Sequence, residues 1–285
     1  MRIKNRSDSR GCDFCRIMRA GVLFLLLFSV CGILLEPYGY PADKRQIKNS
    51  PEATGLVLQL QKIRPSVVAI GTYSFRDKPK AQFLGTGFAV SDGTLIVTNA
   101  HTMVKIEKTQ KLKHLRIFHK QFSSHGVKCV LLHKDEIHDL ALLKIQKGEL
   151  PPLPLGDSSQ VMEGESVAFT GYPLGLILGL NPTTHAGIIA AIAPIVIPSP
   201  TASTIKKEII KFLRHPYDIF QLDATAYPGN SGSPVFRISN GEVIGVVNMV
   251  FVKGKKEHLL TMPSGITYAI PVNFVHTLIK EGTKP

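Results

Sequence analysis

With 285 residues, 44% of them hydrophobic, the chain holds enough apolar sequence for one large all-β domain or two modest ones, which argues against a disordered or purely membrane-embedded protein. The formal net charge is +13, and the first twenty residues, with six basic and two acidic side chains, carry +4 of it. The other basic residues cluster at 105–120, 206–214 and 253–256, in segments that read as solvated loops; no recognition module accompanies them, so specific nucleic-acid binding is not expected, and anionic lipid or cell-surface polymer is the better-matched partner.

Residues 1–37 combine the basic leader with sixteen uncharged, apolar residues, Ala20 to Leu35. A spanning helix takes about 20 such residues and a signal core about 7 to 15, so a cleaved signal peptide and a membrane anchor through 20–35 both fit. Either places the leader in the cytoplasm and the remainder outside, in the periplasm or secreted. Of the four cysteines, Cys12, Cys15 and Cys31 lie in this region and only Cys129 in the body of the chain, so an intradomain disulfide is excluded. The Cys12–Cys15 pair lacks two of the ligands a structural zinc needs, and neither metal nor cofactor is expected.

Residues 38–50 are polar and read as a linker, and the domain is expected over 51–285. Pro51 to Ile63 predicts a short helix stopped by Pro65. Short β-branched runs follow at Ser66–Tyr73, Phe83–Val90, Thr94–Thr98, Leu115–Phe118, Val127–His133 and Leu140–Ile145, the spacing of a closed antiparallel barrel over about 66–150. After the stiff Pro151-Pro-Leu-Pro154 come Ser166–Thr170, His185–Ile192, Ile219–Ala224, Pro234–Phe236, Val243–Met249 and Ile266–Ile270, a second set of six over about 155–271. Residues 194–216 read as a long surface loop and 272–280 as a closing helix.

Chemistry concentrates in Asp223-Ala-Thr-Ala-Tyr-Pro-Gly-Asn-Ser-Gly-Ser-Pro-Val-Phe236. A serine between glycines in a tight turn suits a nucleophile beside amides free to donate. Ser231 needs a base and a group to orient it. His101, after the apolar run Leu95 to Thr98, and Asp139, ahead of Leu140 to Leu143, are the upstream candidates; Asp135, Glu136 and His138 compete nearby but sit in a polar turn, with His138 expected to be exposed. The order His101, Asp139, Ser231 is that of chymotrypsin-type barrels, and no aspartate follows Ser231, which argues against an α/β-hydrolase.

Pro65-Ser-Val-Val-Ala-Ile70, Gly85-Thr-Gly-Phe88, Thr98-Asn-Ala-His101, Asp139-Leu-Ala-Leu-Leu143 and Asp223 to Pro234 resemble, in order, the motifs of the HtrA branch of trypsin-like serine proteases, over roughly residues 54–279. The resemblance implies an all-β, chymotrypsin/trypsin-like double six-stranded Greek-key β-barrel with a short N-terminal and a C-terminal helix, the site lying between the barrels. It implies His101 as base, Asp139 as its orienting carboxylate, Ser231 as nucleophile, and the amides of Gly229 and Ser231 as oxyanion hole. It also implies protein or peptide substrates, and an oligomer, since relatives form trimers. Too few residues follow Pro271 for a PDZ domain, so the resemblance is to the protease domain alone. Ser233 stands where the family usually has glycine; glutamyl endopeptidases share this serine.

Thr225 occupies the position where trypsin-like enzymes for basic substrates carry an aspartate, and Asn248, Met249 and Val250 align with the strand that pairs with substrate backbone. These four substrate-binding candidates predict small or medium apolar residues before the scissile bond. The competing readings are a latent peptide-binding or chaperone-like homologue, which a broken triad would mark, and a glutamyl endopeptidase, for which His185 and His258 would supply the cationic pocket.

Overall fold

The computed structural model describes residues 55–173, 181–195, 216–248 and 266–284. The apolar segment 20–35, the linker 38–50, Cys12, Cys15, Cys31 and most of the expected loop 194–216 lie outside the described residues. In chain order the elements are α1 (Gly55–Ile63), β1 (Val67–Tyr73), β2 (Ala81–Val90), β3 (Leu95–Asn99), α2 (Ala100–Lys108), β4 (Leu115–Phe118), β5 (Val127–Asp135) and β6 (Leu140–Ile145). There follow β7 (Ser166–Gly171), β8 (Thr183–Pro194), β9 (Asp218–Asp223), β10 (Pro234–Arg237), β11 (Val243–Asn248), β12 (Ile266–Pro271) and α3 (Asn273–Gly282). Among the described residues the strands close into two antiparallel six-stranded barrels, β1-β2-β3-β6-β5-β4 and β10-β11-β12-β9-β8-β7.

The sequence pattern explains how these barrels pack. All seven residues of β1 are buried, because its two faces meet two different cores. Val68 and Ile70 point into the first barrel with Ala89, Ile96, Ile117 and Leu143. Val67, Ala69 and Tyr73 point into the seam between the barrels, against Phe236, Val246 and Ile270 of the second and Val275 and Leu278 of α3. A strand with no wet face has no polar alternation to display and reads as a continuous apolar run. The second barrel fills with Val167, Phe169, Ile189, Phe220, Leu222, Val235 and Val247.

Two expectations need correction. The basic stretch from residue 105 is not all loop, since α2 extends to Lys108. Its Met103 and Ile106, one turn apart on the helix, are both buried in the first barrel's core, which drives helix formation where charge alone suggested solvent. His138 is not exposed: its side chain retains 20% of its accessibility. Among the described residues no helix is long and apolar enough to cross a membrane. Cys129 is buried, and burial pushes its thiol pKa up to about 12, so it is a small apolar core residue and not a reactive thiol.

Candidate active site

Strand β3 ends at Asn99, the N-cap of α2, so His101 lies in the first turn of a helix and not at a strand end. Asp139 closes the β5–β6 turn with φ 53°, a left-handed conformation uncommon for a residue with a side chain. Backbone and side-chain bonds hold it there: the Asp139 carbonyl accepts from Ala100 N–H at 3.0 Å and from Asn99 Nδ2 at 3.1 Å. Its carboxylate then takes the His101 backbone N–H on Oδ1 (2.7 Å) and contacts the His101 ring nitrogen Nδ1 through Oδ2 (2.6 Å). One carboxylate thus caps the positive end of α2 and orients the imidazole. With Nδ1–H donating to Asp139, a neutral His101 carries its lone pair on Nε2, the arrangement of a general base.

Asn248, at the end of β11 in the other barrel, donates Nδ2 to the same Asp139 Oδ2 at 2.9 Å. Its side chain, fully buried, therefore faces the carboxylate. Nothing in the motif Val247-Asn-Met-Val250 assigns that contact, because it exists only once β11 and the β5–β6 turn meet.

The Ser231 loop is fastened to β2. Thr86 donates its backbone N–H to the Ser231 carbonyl (2.8 Å) and its hydroxyl to the Gly229 carbonyl (2.7 Å), while Thr86 Oγ1 accepts from Tyr172 N–H (2.9 Å). Gly232 donates to the Val247 carbonyl (2.9 Å) and Ser233 to that of Asn230 (3.0 Å). Gly232 is required: at φ 87°, a Cβ would stand 2.1 Å from the Thr86 carbonyl oxygen. Gly229, at φ 107°, occupies a similarly restricted backbone region. No acceptor among the described residues takes the amide N–H of Gly229 or Ser231.

His101, Asp139 and Asn248 are thus hydrogen-bonded together, while the Ser231 loop is held against β2 of the first barrel through Thr86. The Ser231 carbonyl and the Thr102 hydroxyl flank Gly85, each 3.1 Å from where its Cβ would be. Ser231 is 6% exposed, and among the described residues no hydrogen bond joins its hydroxyl to His101.

Of the other candidates, Thr225 is half-buried between the buried Ala224 and Ala226. Met249, Val250 and His258 lie outside the described residues. His185 stacks on Phe169 (centroids 5.0 Å apart) and leans on Tyr227, and burial depresses its pKa. Burial thus disfavours the charged form of this ring, the form a glutamate side chain would pair with.

Residues 85–246 match the family described as the trypsin-like peptidase domain. A probable periplasmic serine endoprotease DegP-like from Hahella chejuensis is 30% identical over 201 residues, covering 70% of this chain and 36% of that protein. Serine protease HTRA1 of Xenopus laevis is 31% identical over 229 residues, covering 78% of this chain and 42% of that protein. The chain therefore spans less than half the length of these relatives. The solved structure of the HtrA-type protease AlgW with tripeptide shares the fold, with a TM-score of 0.55 at 21% identity over 79% of this chain and 62% of that one. Matched motifs, paired six-stranded barrels and these relatives agree, and the chain belongs to the trypsin-like peptidase domain family, in its HtrA branch.

Proposed function

We propose that the chain is a serine endopeptidase in which His101, Asp139 and Ser231 form the catalytic triad. The observation that carries this reading is the 2.6 Å contact of His101 Nδ1 with an Asp139 carboxylate that Asn248 also holds. As Ser231 Oγ attacks a peptide carbonyl, its proton passes to His101 Nε2. The resulting oxyanion accepts from the amides of Gly229 and Ser231, where losing one donor typically costs about 10² to 10³ in rate. His101 then returns the proton to the leaving amine, and water hydrolyses the acyl-enzyme by the same route. Asp139 keeps the tautomer and stabilises the imidazolium.

Thr225 offers no counter-charge to a basic side chain, and with Asn248, Met249 and Val250 along the substrate strand it supports preference for small or medium apolar residues before the scissile bond. Relatives described as periplasmic support an extracytoplasmic site of action on proteins or peptides. Membrane attachment through residues 20–35 and assembly into an oligomer belong to the same proposal.

Fluorophosphonate labelling of the full chain, with the adduct mapped by mass spectrometry and His101→Ala as control, tests it. Labelling at Ser231 that vanishes in the variant is the expected result. The missing Ser231–His101 hydrogen bond favours one other reading, a latent peptide-binding form; Ser231 that stays unlabelled until peptide is added would establish that form instead.

A further inference from the structure

A second histidine–aspartate contact lies inside the turn that presents Asp139. His138 Nδ1 is 2.5 Å from Asp135 Oδ2, and the other oxygen of that carboxylate accepts the backbone N–H of Ile137 (2.9 Å) and of His138 (3.0 Å). Asp135 pairs with Leu140 across β5 and β6, so its carboxylate folds back over the residues leading into Asp139 and both its oxygens are used. Burial alone would raise the Asp135 carboxyl, yet the hydrogen bonds from His138 outweigh it and hold the pKa below the ordinary value.

The imidazole is gripped from two other elements. Its ring lies flat on Phe274 of α3, with centroids 3.8 Å apart and planes 18° apart, and meets Tyr217 edge-on at 4.8 Å. Tyr217 and Phe274 contact each other in turn at 5.1 Å. Tyr217 leads into β9, its carbonyl accepting from Ile195 N–H at 3.0 Å. Its phenol is buried, and burial together with the negative charges of Asp139 and Asp135 pushes its pKa up. The neighbouring charges of the turn are committed elsewhere, Lys134 to Glu107 and Glu136.

We infer that Asp135 and His138 are positioning residues for Asp139. Hydrogen-bonded to each other, with the His138 ring packed against Phe274 and Tyr217, they hold the turn in the left-handed geometry that brings both Asp139 oxygens onto His101. The inference rests on the triad reading proposed above. Simple packing would be served by any aromatic ring at position 138; the structure instead uses the ring face for Phe274 and the ring nitrogen for Asp135.

Two substitutions separate these roles. His138→Phe keeps the stack and removes the donor, whereas His138→Asn keeps a side-chain N–H for Asp135 and removes the stack; Asp135→Asn is the milder partner variant, retaining an acceptor for the turn amides. In full-length protein, the low-field proton of His101 Nδ1 is followed by NMR, with His101→Ala for assignment, beside kcat and KM on a cleaved peptide. The expected result is loss or marked upfield movement of that proton in His138→Phe, with kcat down about tenfold and KM unchanged. Both readouts should fall less in His138→Asn, which keeps the donor and loses only the stack, than in His138→Phe. An unmoved His101 proton in all three variants overturns the inference, as does the reverse pattern in which Phe preserves and Asn loses it. The NMR readout needs no turnover, so failure of Ser231 to label would strike the triad reading while leaving this one testable.

Discussion

Asn248 on the second barrel donates its side-chain amide to Asp139 on the first, at 2.9 Å, so the two barrels are joined at the group that orients His101. A hydrogen bond to a charged partner contributes about 1.5–3 kcal/mol, and here it also restrains the carboxylate. Asn248→Ala is expected to lower kcat roughly 10- to 100-fold with little change in KM, which steady-state kinetics on a peptide substrate would check. Equal effects on kcat and KM would count against this role.

Thr86 ties the Ser231 loop to the first barrel through a hydroxyl that both donates to the Gly229 carbonyl and accepts from the Tyr172 amide. Thr86→Val keeps the shape but leaves the Tyr172 amide unpaired, a loss of about 1–3 kcal/mol. It should lower the melting temperature and slow fluorophosphonate labelling of Ser231. Thr86→Ser, which retains the hydroxyl, should label near the wild-type rate.

Gly171 and Ser233 are a coupled pair. A Cβ on Gly171 would lie 2.0 Å from Ser233 Oγ, and also 2.8 Å from Asn230 Oδ1, while the Ser233 hydroxyl is itself buried without a partner. Gly171→Ala should destabilise by about 1–3 kcal/mol through overpacking. Ser233→Gly removes an unsatisfied hydroxyl and should cost little by itself. Denaturant melts of the double variant should recover part of the loss, a non-additivity of at least about 0.5 kcal/mol; strict additivity would contradict the coupling.

Asp157 fastens the segment between the barrels to α3. It accepts from Asn273 Nδ2 (2.9 Å) and from the amide and hydroxyl of Ser159, and these bonds, Asn273 foremost, hold its pKa at about 2. A carboxyl depressed in the folded state stabilises fully above its unfolded value of about 3.9 and loses that contribution as pH falls through the folded value. The melting temperatures of wild type and Asp157→Ala should therefore differ at pH 6 and converge between about pH 4 and pH 2. A gap that widens toward acid would reverse the assignment.

Thr225→Asp should open the specificity pocket to basic residues. Profiling both proteins on one peptide library is expected to show apolar preference before the cut in the wild type and a gain in Arg or Lys cleavage in the variant. Strong Arg, Lys or Glu preference in the wild type would remove the basis of the specificity reading.

Strand content was legible from the chain because short β-branched runs punctuated by turn residues carry a local signal, and all twelve runs from Ser66 to Ile270 coincide with strands apart from their ends and Met249, which is not described. The chain order of His101, Asp139 and Ser231 was equally a property of sequence, whereas the need for glycine at 232 appears only where the loop meets the Thr86 carbonyl on β2. Helix α2 escaped notice because its apolar residues are few and lie beside lysines; burial of Met103 and Ile106 in a barrel assembled from distant strands, not local propensity, makes it a helix. Partners across the molecule escaped notice for the same reason. Asn248 meets Asp139 across 109 positions, and His138 meets Phe274 only when α3 folds back over the β5–β6 turn, so the polarity of a side chain could not reveal that it would be buried. What the sequence determined alone was local: where strands run, where the backbone must turn, and which reactive residue types occur in which order. Which groups touch was decided by closing and docking two barrels, because hydrogen bonds and stacking depend on distances of a few ångströms that chain separation does not encode.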